Sequence, residues 1–105
     1  MYKINVKFEG PLDKLFVDGQ IYRLKYVKIL ELNAFWSSRP GFIQSFFDRT
    51  DNTWNSVFDT RENAESAELA LSQLLPAELP ISDVAGMKQY EIDNGILVTR
   101  QIVPS

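Results

Sequence analysis

The chain contains neither cysteine nor histidine. Without cysteine there are no disulfides, no thiolate nucleophiles and no Cys-based zinc sites. Without histidine there is no Ser-His-Asp triad and no usual His ligand for a haem. Acid–base chemistry near neutral pH would need a perturbed carboxylate, tyrosine or lysine. No apolar run reaches the length of a membrane-spanning helix. The opening MYKINVKFEG alternates polar and apolar residues and lacks the continuous apolar core of a signal peptide, so the expected location is the cytoplasm. An excess of positive charge is also missing. The net charge is −3, which argues against a nucleic-acid partner.

What remains is an ordinary globular composition. The 105 residues are 45% hydrophobic and 24% charged, enough for one domain with a real core. Charge is uneven: residues 1–39 carry seven Lys/Arg against four Asp/Glu, and residues 40–105 carry four against ten. A solvated mixed surface accounts for this, with an acidic partner for the basic third as the alternative.

Residues 2–8, YKINVKF, alternate strictly, with Tyr2, Ile4, Val6 and Phe8 on one face, and predict a strand. Asp18-Gly19 is a type I′ hairpin signal. Residues 21–37 nevertheless contain no Gly or Pro and many helix formers, so a helix over 21–37 is favoured, with the hairpin as its rival. It should end before Arg39-Pro40-Gly41. FIQSFFDR (42–49) and TWNSVF (53–58) read as strands joined by Thr50-Asp51-Asn52. Simple alternation places Phe42 and Phe46 on one face and Ile43 and Phe47 on the other, so both sheet faces should be covered. Asp59-Thr60-Arg61-Glu62 fits a capping box with Asp59 as the cap. Ala64, Ala67, Leu71 and Leu74 then recur at helical spacing, and Pro76 closes the helix. After an irregular stretch at 76–86, MKQYEID and ILVTRQIV flank Asn94-Gly95 and predict a second hairpin.

The order β-α-β-β-α-β plus one extra C-terminal strand predicts an α+β ferredoxin-like sandwich with both helices on one sheet face. A second copy would cover the other face in a two-fold homodimer. The last strand either pairs with that partner or forms an edge of its own sheet.

Pro40-Gly41-Phe42, Trp54 to Phe58 and Asp59-Thr60-Arg61-Glu62-Asn63-Ala64 together resemble the dimeric α/β-barrel superfamily. That group includes antibiotic-biosynthesis-monooxygenase-like, YdhR-like and stress-responsive domains. Phe8-Glu9-Gly10-Pro11 is similar to the end of the first strand in YdhR-like members, while Phe58 stands where Trp is frequent. The resemblance implies a homodimer with a small cleft per subunit, and in some members cofactor-free oxygenation of phenols. Its haem-degrading branch depends on a histidine that this chain lacks.

A phenolate pocket needs an apolar wall with a few donors. Trp36, Arg49, Asn52, Trp54, Asn55 and Tyr90 are residues of the right types, and each also has an ordinary reading as a core, interface or turn residue. Tyr22 and Tyr26 are further wall candidates. Asp48 with Asp51, or Glu62 with Glu65, could be read as carboxylate pairs, but helix-start glutamates already favour the macrodipole, and no metal is expected. The function expected from these readings is binding of a small apolar or phenolic compound, with cofactor-free oxygenation of it as a further step. The alternative is a non-catalytic or stress-related homodimer with a filled cleft. No cofactor, nucleic acid or membrane is expected as a partner.

Overall fold

The computed structural model describes residues 1–26, 35–75, 78–79 and 81–105. It is an α+β domain built on a four-stranded antiparallel sheet. The strands of this sheet are β1 (Tyr2–Glu9), β4 (Phe42–Asp48), β5 (Thr53–Phe58) and β6 (Leu97–Pro104), in the spatial order β4-β5-β1-β6. This order is compatible with a ferredoxin-like sandwich. A separate two-stranded ribbon, β2 (Phe16–Val17) and β3 (Gln20–Ile21), follows the short helix α1 (Leu12–Leu15).

The alternation in β1 sets the inside of the molecule. Ile4 and Phe8 are buried, and their partners across the sheet share their face: Ser56 and Ile102 for Ile4, Val98 for Phe8. Both apolar clusters of the core lie on this face. One gathers Ile4, Trp36, Phe58, Ala64, Ala67 and Leu71, and the other Val6, Phe8, Leu15, Ile21, Tyr22 and Met87. Burying a side chain such as Phe58 or Ile4 contributes about 1.5–3 kcal/mol.

The helix α2 (Arg61–Ser72) packs on the sheet through Ala64, Ala67 and Leu71, the small alanines allowing close approach. Its cap is Thr60, one residue later than the sequence pattern placed it: Thr60 Oγ1 accepts from the Asn63 amide at 3.1 Å. Asp59 instead accepts from the Asn63 side chain at 2.8 Å. The helix ends at Ser72, ahead of Pro76, which lies outside the described residues.

Three further expectations are corrected. Residues 21–26 are not α-helical. Asp18 and Gly19, at φ +54° and +78°, form the tight turn of the β2–β3 ribbon, and Tyr22–Lys25 follow as a single 3-10 turn. Residues 35–37 are helical, and the part of the expected helix over 27–34 lies outside the described residues.

The second correction concerns 84–93, which is helix α3 (Val84–Asp93) and not a strand. The extra C-terminal strand is therefore absent among the described residues. Asn94-Gly95 is not a hairpin turn but the end of a helix. Gly95 at φ +63° lets its own amide reach Ile92 O and the Ile96 amide reach Glu91 O at 2.9 Å, a paired 5→2 and 6→1 closure. The final strand β6 is an edge of its own sheet, in register with β1 from Tyr2↔Pro104 to Glu9↔Leu97.

The third correction is a register slip in β4 between Phe42 and Gln44. It turns Phe42 inward, edge-on to Phe58, on the same face as Phe47, and leaves Phe46 on the opposite face. That opposite face is thus less apolar than simple alternation implied. At its centre lie Asn5, Thr53, Asn55 and Val57, all buried, and neither apolar cluster includes any of them.

Candidate functional site

A cavity of about 660 Å³ lies between the inner face of the sheet and the elements above it. Its wall draws on both core clusters, with Trp36 and Leu71 from one and Val6 and Phe8 from the other. It therefore sits at the seam where the two fail to merge. Val6, Phe8, Trp54, Val98 and Arg100 rise from the sheet by their shared parity in the register. Leu71, Ser72 and Leu74 at the end of α2, with Leu79 and Ile81 beyond it, form the roof. Arg23 and Glu91 close one side. The size falls within the range of about 300–1,000 Å³ typical of small-molecule pockets.

The polar groups on this wall are few and organised. Glu91 of α3 receives Arg23 Nε and Arg23 Nη2 on its Oε2, both at 3.0 Å, and the Tyr22 hydroxyl donates to the same oxygen. The Arg23 guanidinium also lies 5.3 Å from the centroid of the Phe8 ring. Burial, and then the hydrogen bond to Glu91, push the Tyr22 phenol well above its ordinary value, so it stays protonated at neutral pH. On β6, Arg100 Nη2 pairs with Glu68 Oε1 of α2 at 2.8 Å. Glu68 Oε2 and Trp36 Nε1 are buried with no hydrogen-bond partner.

Of the six residues singled out from the sequence, Trp36 and Trp54 line the cavity and the other four do not. Tyr90 lies beside it, stacked on Tyr22 at 5.1 Å, with its hydroxyl donating to Lys14 O at 2.7 Å. Arg49 donates to Gly19 O and its guanidinium covers Phe16, holding the β2–β3 ribbon against the end of β4. Asn52 is a turn residue at φ +57° whose carbonyl accepts from the Phe8 amide at 3.0 Å. Asn55 is fully buried on the other face of the sheet, bonded to Asn5.

Tyr22 is a core residue that positions Glu91, and Tyr26 lies near Tyr90 with its carbonyl holding Ser82. Three of the four carboxylates considered for a metal have local structural partners. Asp48 accepts from Thr50, Asp51 from Thr53, and Glu65 pairs with Arg61.

Arg23, Glu91 and Arg100 were not picked out from sequence. For Arg23 and Glu91 no spacing signal existed. For Arg100 one did: it shares strand parity with Val98 and Ile102, a charge on the apolar side of β6. No family model matches this chain, and no curated protein or solved structure matches it.

Proposed function

We propose that this is a small-molecule-binding protein whose site is the cavity between the sheet and its helices. The observation that carries the reading is the unfilled volume of about 660 Å³ walled by Trp36, Trp54 and aliphatic side chains, with a small number of ordered charges. Such a volume favours ligand binding over the alternative of a non-catalytic homodimer with a filled cleft.

We further propose that the domain is a ferredoxin-like sandwich that pairs with a second copy, sheet to sheet, in the manner of dimeric α/β barrels. The strand order and the exposed Phe46 on the outer sheet face support that assembly. Cofactor-free oxygenation of a phenol would need a group on the wall that takes the phenol proton. Glu91 already receives three donors and Tyr22 is held protonated, so the geometry favours binding over oxygenation.

The test is a native mass spectrum of the freshly purified protein. A dimer that keeps the added mass of a small organic molecule supports both parts. A bare dimer that also takes up no apolar compound on incubation would sink the binding reading. A stable monomer at micromolar concentration would sink the barrel.

A further inference from the structure

We propose that the cavity takes a small apolar carboxylic acid, with its carboxylate on Arg100 and its hydrocarbon body against Trp36, Trp54 and Leu71. The inference rests on the cavity being a ligand site, as argued above, and adds the charge of the ligand. Among the described residues two cations stand on the wall, Arg23 and Arg100, and they are in different states. Arg23 commits both Nε and Nη2 to Glu91 and lies over Phe8. Arg100 commits only Nη2, to Glu68, and among the described residues nothing accepts from its Nε or Nη1.

A guanidinium offers five donors in a planar fork, and a carboxylate is the group that takes two of them side by side. Arg100 is directly across from Val6 and two residues from Val98, both on the cavity wall, so its half-exposed charge stands at the rim of an apolar surface. Glu68 holds it through one oxygen, so an incoming carboxylate does not have to displace a bidentate pair. Trp36 contributes its ring to the wall. The uncommitted arms of Arg100 are donors, which selects a ligand with an acceptor head. A neutral alcohol of the same length would leave the second arm of the Arg100 fork unpaired.

The chain has two tryptophans and both line the cavity, so tryptophan emission reports its occupancy. The probes are decanoate and decan-1-ol, titrated at neutral pH into the native protein, Arg100→Gln, and Arg100→Gln/Glu68→Gln. The double variant removes the partner that the single one leaves unpaired. Decanoate should bind the native protein about tenfold or more tighter than decanol, as a charge-assisted fork requires, and the preference should vanish in both variants while decanol binding persists. Equal affinities in the native protein, or a preference that survives in the folded double variant, would overturn the acid assignment and leave the ligand site standing. Binding of neither probe would overturn both. The ratio in the native protein needs no variant, so a folding failure in either variant does not remove the test.

Discussion

The side-chain amide of Asn5 donates to the side-chain carbonyl of Asn55 at 2.7 Å, between the two central strands and on the sheet face that neither apolar cluster occupies. Asn55 is fully buried there, with Phe46 across from it on β4. Its own amide is satisfied by Thr53, through Oγ1 at 3.0 Å, and Thr53 in turn donates to Asp51 at 2.6 Å. The chain of contacts runs from the sheet centre to the β4–β5 turn. It is a closed polar network in which every member has a partner.

Breaking one member should therefore cost more than removing both ends. Asn55→Ala leaves the Asn5 amide buried without an acceptor and should lower stability by about 1–3 kcal/mol. The double variant Asn5→Val/Asn55→Val replaces both polar groups with strand-favouring apolar ones and should lie closer to the native value. Urea unfolding of the three proteins reads this directly. Equal losses in the single and double variants would mean that the pair is not a unit.

Phe46 is the large apolar side chain beside that network, 40% exposed in the single chain. If two copies meet through this face, Phe46 is covered in the assembly, and Phe46→Arg should convert a dimer into a monomer with the fold retained. Sedimentation velocity at micromolar concentration, alongside far-UV circular dichroism, is the measurement. A variant that stays dimeric would move the interface to another surface.

Helix α3 makes a sharp prediction because the two readings of its sequence bury different residues. In a hairpin, Ile92 would be a packing residue. In the helix, Met87 is buried and Ile92 is 74% exposed. Ile92→Lys should change stability by less than about 0.5 kcal/mol, whereas Met87→Ala should cost about 2–5 kcal/mol. Thermal melts of the two variants suffice, and the reverse ordering would reinstate the strand.

That segment also shows why part of the fold was readable and part was not. Residues 2–8 and the Ala64-Ala67-Leu71 stripe each carry one period and one interpretation. Asn94-Gly95 carries two, since a left-handed glycine both turns a hairpin and ends a helix. In β4, a bulge at the second residue after Gly41 moved Phe42 to the face of Phe47, and nothing in FIQSFF marks a bulge.

The site divides in the same way. Trp36 and Trp54 stood out as large aromatic residues in an acidic chain. The ion pair between Arg23 and Glu91 joins positions 68 residues apart, and only the tertiary fold brings them together.

The junction of β5 and α2 supplies the pH dependence. The Asn63 side chain donates to the Asp59 carboxylate and holds it below its ordinary value of 3.8. Asp59 also occupies the space that a side chain at Gly41 would need, and Gly41 sits at φ +80°, where other residues are strained. A carboxylate with a lowered folded-state pKa stabilises the fold at pH values above its unfolded pKa. That contribution is lost as the pH falls through the folded value. The native protein should therefore lose melting temperature on acidification below pH ~4 more steeply than Asp59→Asn, which has no charge to lose there. Asp48 is lowered as well, by Thr50, but it is present in both proteins, so the difference between their curves isolates Asp59. Melting curves from neutral pH to pH ~2 should converge at the acid end. Parallel curves would show that the Asp59–Asn63 contact does not depend on the charge.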